Sequence, residues 1–179
     1  MILHGSLKRY TAILKVAAAS EEFKIMAAVP VAPWSDQSTS KKFRLGTVKK
    51  DVKGNEYMYV QGVASGALYD WVTIDEDFVT TRAIADGQGG VGILQAALDA
   101  TTDFGWMAIS GNHYGKALTG FADNGVVYLT GTAGSIDDTD VAGDQVYGAI
   151  GRSALNATGN PTGTAEFELH RPEVLDAGN

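Results

Sequence analysis

The chain contains no cysteine, so it can form neither a disulfide framework nor a thiolate metal site. Histidine is nearly as scarce. The three present, His4, His113 and His170, include no pair at the H-x-x-x-H spacing that places two imidazoles on one metal. No apolar run approaches the roughly 18 residues that a membrane-crossing helix needs. Residues 10–19 come closest to a signal peptide, and Lys15 interrupts them where such a segment needs an unbroken apolar stretch. The expectation is a soluble, unprocessed chain folded in a reducing compartment, with Asn156-Ala157-Thr158 a chance match to a glycosylation sequon. There are four prolines, and two of them, Pro30 and Pro33, fall in one short stretch.

What is present is 179 residues, 45% of them apolar and 20% charged, enough to bury the core of one domain. The charge is divided between the ends. Residues 1–44 carry seven Lys or Arg against three acids, a net +4, and residues 45–179 carry seven against eighteen, a net −11; together these make the −7 of the whole. A basic segment leading into an acidic, glycine-rich body reads as a module with a docking arm. The acidic body argues against nucleic acid as partner, because neutralising phosphates requires clustered Lys and Arg on the binding face.

Residues 10–29 fit either a helix, from their alanines and the spacing of Ile13, Val16, Phe23 and Met26, or two strands. Residues 30–40 read as a linker: two prolines bias it to extended backbone, and a Ser/Thr/Asp run follows. Trp34 within it either anchors the tether on a partner or packs on its own body. From residue 45 the chain becomes short β segments between turn clusters. Residues 45–50 and 56–60 flank Asp51-Val52-Lys53-Gly54-Asn55, a hairpin signal. In the second arm Met58, Val60 and Gly62 alternate with Tyr57, Tyr59 and Gln61, the period of a half-buried strand. Residues 71–74 form a further strand. Residues 91–98 and 105–110 bracket a second hairpin, Asp123-Asn124-Gly125 turns into 126–129, Val146, Gly148 and Ile150 alternate, and 166–170 closes the series. Turn clusters about every ten residues are the signature of an all-β barrel or sandwich.

Candidate chemistry is sparse. Gly87-Gln88-Gly89-Gly90-Val91-Gly92 matches G-x-G-x-x-G, but a dinucleotide site also needs a strand before it and βαβ units after it. The plainer reading is a turn feeding a strand. Asp137, Asp138, Asp140 and Asp144 lack the alternate-position spacing and terminal Glu of a calcium loop, and read as a solvated turn region. Gly151-Arg152-Ser153-Ala154-Leu155 lacks the final glycine of a nucleophile elbow. His113, beside Tyr114, reads as a surface or subunit contact. Trp71, Trp106 and Tyr128 sit in strand patterns as core or subunit-interface residues. No catalytic, cofactor or metal residue emerges, and the expectation is a protein that is not an enzyme.

Residues 45–155, about 60% of the chain, resemble the capsid decoration (head stabilisation, or cement) proteins of tailed phages. The segments occur in order: Leu45-Gly46-Thr47-Val48, Gly54-Asn55-Glu56-Tyr57-Met58-Tyr59-Val60, Tyr69-Asp70-Trp71-Val72-Thr73-Ile74-Asp75-Glu76 and Gly90-Val91-Gly92-Ile93. Then come Asp103-Phe104-Gly105-Trp106-Met107-Ala108-Ile109-Ser110-Gly111, Val127-Tyr128-Leu129-Thr130 and Gly134-Ser135-Ile136-Asp137-Asp138. The resemblance implies an all-β fold, a small antiparallel β-barrel or β-clip (β-tulip-like) body, here with an N-terminal extension. It also implies assembly as a homotrimer, the major capsid protein as partner, and a place on the outer capsid surface of the virion after synthesis in the host cytoplasm. Nucleic acid, membrane and cofactor have no part in it. Residues 1–44 are expected to be a basic arm and linker and 45–179 the decoration domain, with Trp34 as buried anchor and Lys41, Lys42 and Arg44 as a charged rim against the capsid. Deleting residues 1–40 is then expected to abolish capsid binding and leave the β body folded. A different class of function, a carbohydrate-binding β-sandwich, would use Tyr57, Tyr59, Trp71 and Tyr114 to stack on sugars, with calcium in the acidic loops.

Overall fold

Turn residues cut the chain into ten strands: β1 (Val48–Lys50), β2 (Glu56–Gln61), β3 (Trp71–Ile74), β4 (Thr80–Arg82), β5 (Gly89–Leu94), β6 (Phe104–Lys116), β7 (Val126–Leu129), β8 (Ile136–Asp137), β9 (Gln145–Gly151) and β10 (Thr164–Val174). This is a computed structural model in which residues 34–175 are described. The segment 10–29, read above as helix or strands, lies outside the described residues. The chain divides into two units, Met1–Pro33 and Trp34–Asn179. Residues 34–44, expected as the end of the arm, are therefore part of the β body.

All pairings between named strands are antiparallel, in a single sheet with the order β1-β2-β6-β5-β10-β9-β7-β8, and β3 bridges β4 and β5. The hairpin around residues 51–55 forms as its turn residues require, with Lys50 opposite Glu56. The Asp123-Asn124-Gly125 turn also forms, with Asn124 at φ 61 immediately before β7. The glycine run is no phosphate loop: Gly89, Gly90 and Gly92 lie within β5, and no helix occurs among the described residues. The strand path runs from β1 to β8 as two separate edges, and among the described residues these do not pair.

Two long strands organise the sheet. The first half of β6 runs between β2 and β5, and its second half pairs with β10 from Ser110↔His170 to Lys116↔Thr164. After a register shift between Leu169 and Glu173, β10 reaches across to β5 at Glu173↔Gly90. The shift is a bulge: Arg171 has φ 50 and faces β9 at Gly148, itself at φ 77. A side chain at Gly148 would sit 2.9 Å from the His170 carbonyl, so the bulge requires glycine there.

The strands expected to be half buried are covered on both faces. Tyr57, Tyr59, Trp71, Ile93, Trp106, Ala108 and Phe167 share the larger core, whereas Val60, Val72, Leu94, Met107 and Ile109 form a second core on the opposite face. The reason lies outside the strands. Residues 34–45 lie over the first face, and Ala96 and Leu98, from the connection after β5, pack on the second. Trp71 and Trp106 are fully buried core residues, while Tyr128 is half-buried on β7. Trp71 meets Phe167 edge-on at 4.9 Å and leaves no room for a side chain at Gly115, where an added Cβ would lie 2.6 Å from its indole nitrogen. Trp106→Ala is expected to cost about 3–5 kcal/mol of unfolding free energy, because it empties the centre of the larger core. Urea denaturation followed by circular dichroism measures this, and a loss well under about 1 kcal/mol would mean that the core closes around the gap.

Candidate functional site

The segment expected to be a tether is instead fastened down by aromatic packing. Trp34 stacks on Tyr57 with ring centroids 4.0 Å apart and planes 9° from parallel, and meets Trp106 edge-on at 5.2 Å. Phe43 contacts Tyr59 at 5.2 Å and Trp106 at 5.3 Å. Each such pair contributes about 0.5–1.5 kcal/mol beyond its area of burial. Between the two anchors, Ser38 and Phe104 exchange backbone hydrogen bonds of 3.0 and 2.8 Å, and the Lys42 backbone N–H donates to the Tyr59 hydroxyl at 3.1 Å. Of the two alternatives for Trp34, the structure has it packed on its own body.

Phe43 and Leu45 turn inward as partners of the core, so Lys41, Lys42 and Arg44 are left facing solvent. Lys42 pairs with Asp36 at 2.7 Å, and the Lys41 ammonium lies 5.6 Å from the centre of the Phe104 ring. Lys49, from β1, joins the group with its ammonium 3.9 Å above the Phe43 ring. The result is a short cationic ridge on an aromatic bed, carried by a body of net negative charge. Sequence reasoning missed Phe43 and Lys49, and gave Tyr59 no part in holding this segment. The signal was present in Lys42-Phe43-Arg44-Leu45, whose alternation marks a segment with one face against a surface.

Tyr57, on which Trp34 stacks, is buried together with His113. Burial, followed by the Asp51 carboxylate, pushes the Tyr57 hydroxyl up to about 12. His113 is buried, not a surface contact: its Nε2 lies 3.1 Å from the Ser110 carbonyl, and its ring meets Tyr57 edge-on at 5.3 Å. Burial holds its pKa below the ordinary histidine value. This packing also bears on the carbohydrate reading, since Tyr57, Tyr59 and Trp71 are all inside the core and present no face on which a sugar could stack.

Charged groups elsewhere tie elements together. Asp70, fully buried at the start of β3, accepts from Arg82 Nε at 2.8 Å, Lys116 Nζ at 2.5 Å and the Ala67 N–H at 3.0 Å, joining β3, β4 and the end of β6. Glu56 takes Lys50 at 2.7 Å and Arg171 at 2.7 Å, and these hydrogen bonds hold its pKa below the ordinary carboxylate value. In the acidic loop, Asp144 accepts the Asp86 N–H, Asp138 the Ala122 N–H and Asp137 the Thr139 hydroxyl. Those carboxylates act as turn braces. Among the described residues no group of three His, Cys, Asp or Glu is arranged to hold a metal.

Asp70→Asn is expected to destabilise the fold by about 3 kcal/mol, the low end of the range for breaking a buried ion pair. Arg82 and Lys116 are about a third exposed and can regain water. Chemical denaturation tests it, and a change below about 1 kcal/mol would show that the neutral amide satisfies the same donors. Stability is also expected to fall in two steps as pH drops. Below the ordinary histidine value of 6.5, the unfolded chain takes up a proton that buried His113 refuses. Below the ordinary glutamate value of 4.5, Glu56 protonates in the unfolded chain before it does so in the fold. Denaturation midpoints across this range, with His113→Gln flattening the upper step, check the assignment.

Compared with protein-family models, curated proteins and solved structures, the chain has no match.

Proposed function

We propose that this protein decorates and stabilises the outside of a tailed-phage capsid, binding between subunits of the major capsid protein as a homotrimer. Its reading as a small β-barrel or β-clip module belongs to the same proposal. The observation that carries it is where the resembling segments fall. Those at residues 54–60, 69–76, 90–93 and 103–111 supply β2, β3, β5 and the first half of β6, which lie side by side in the sheet, and those at 127–130 and 134–138 supply the β7–β8 pair. The matched segments thus fall on hydrogen-bonded neighbours in the sheet, with β4, β9 and β10 outside them.

The cationic ridge is the docking element in this reading. Lys41, Lys42 and Arg44 stand out from an immobilised backbone, so little conformational entropy is lost when they meet an acidic shell surface. Trp34 acts from within, holding the ridge in place by its stack on Tyr57. Deleting residues 1–40 would therefore also strip Trp34 and Ser38 from the body, and cannot separate docking from folding. Three copies would multiply modest contacts into tight attachment.

The full-length chain carrying Lys41→Glu, Lys42→Glu and Arg44→Glu is expected to fold, and to lose at least about tenfold in affinity when co-sedimented with purified phage heads lacking their decoration protein. Wild-type binding is expected to weaken as salt rises. Undiminished binding by the triple variant would remove the ridge from the interface, and failure of the wild-type chain to sediment with any head would remove the function.

A further inference from the structure

Two exposed features of the body are complementary to each other. The first is the tip of the β1–β2 turn. Asp51 makes this turn rigid by accepting the backbone N–H groups of Lys53 at 2.8 Å and Asn55 at 3.0 Å, and the Asn55 side-chain amide at 2.8 Å. On that rigid turn Val52 has a relative exposure of 104%, and the exposed Lys53 stands beside it. Among the described residues no carboxylate is paired with Lys53. A single exposed valine is ordinary; one held at the apex of a braced turn beside an unpaired cation is a preorganised knob.

The second feature is a groove of about 270 Å³ at the far end of the sheet, where Tyr128, Tyr147, Val141 and Leu175 surround Asp140. Three of the eight large apolar side chains exposed on the described body, Val141, Tyr147 and Leu175, line it. Asp140 lines the groove beside Tyr128 and Tyr147, and among the described residues no cation is paired with it. The groove thus offers apolar walls for a branched aliphatic side chain and a carboxylate flanked by two aromatic rings for an ammonium group.

We infer that the Val52–Lys53 knob of one copy seats in the Tyr128–Asp140–Tyr147 groove of a second copy of this chain. Charge complementarity supports this occupant, since Lys53 and Asp140 are opposite in sign and neither has an ion-pair partner among the described residues. The knob hangs from β1, at one end of the strand path, and the groove lies on β7, β9 and the end of β10, towards the other end. Each copy therefore presents one half of the contact at each end. The contact is heterologous, head to tail, and a heterologous contact repeated through a closing rotation gives a ring. The inference rests on the trimeric decoration reading, for which it supplies the surface that holds the copies together.

Sedimentation velocity of the full-length chain, without capsids, separates the inference from that reading. The wild type is expected to associate into a closed species of a few copies as concentration rises. Val52→Asp is expected to weaken association at least about tenfold, and Val52 is fully exposed, so the variant keeps the wild-type circular dichroism and melting. Lys53→Glu and Asp140→Lys should each weaken association, and the double variant Lys53→Glu/Asp140→Lys should restore it, which generic loss of surface charge would not do. A wild type that stays monomeric overturns the inference, as does a Val52→Asp variant that associates like the wild type, or a charge swap that rescues nothing. Binding of the wild type to phage heads, run in parallel, reports on the decoration function independently.

Discussion

The stack of Trp34 on Tyr57, with Trp106 beneath both, is the contact on which the rest of this structure depends. It closes one face of the sheet, and it turns a polar, proline-flanked segment into part of the body. Without it the first face of β2 and β6 would expose Tyr57, Tyr59 and Trp106 to water. Each would forfeit roughly the 1.5–3 kcal/mol that burial of a large apolar side chain contributes. The segment returns more than area. Its inward Phe43 and Leu45 force Lys41, Lys42 and Arg44 outward, so the same packing that completes the core also displays the charge.

That coupling explains how an acidic body can carry a cationic edge. The charges are not free on a tether; they are held at one place, with Lys49 drawn in over the Phe43 ring. The buried carboxylate of Asp70 works by the same logic in reverse. There two cations at the surface neutralise one anion inside, and three strands are drawn to a single point. Both arrangements put long-range electrostatics under the control of local packing, which is why the position of each charge follows from the core and not from composition.

The longest strands are tied to one another at several separate points. The bulge at Gly148 and Arg171 accompanies the register shift after which β10 leaves β6 and reaches β5. Arg171 then returns to Glu56 on β2, so the far strand is pinned to the near one.

Much of the strand pattern was legible from residues alone. The hairpin about residues 51–55, the strand at 71–74, the turn at 123–125 and the strand at 126–129 are all specified locally, because turn residues and period-two alternation act over a few positions. Burial of Trp71 and Trp106 was readable for the same reason. What the residues could not disclose was which alternating faces would find a cover. Tyr57 and Tyr59 were open to reading as exposed sugar platforms, Trp34 as a free anchor and His113 as a surface contact, since their burial depends on segments many positions away in the chain. Long-range closure by residues 34–45 decided the cases of Trp34, Tyr57 and Tyr59, and His113 packs against the Tyr57 so covered. An alternating strand encodes two faces; only the assembled fold decides how many of them stay dry.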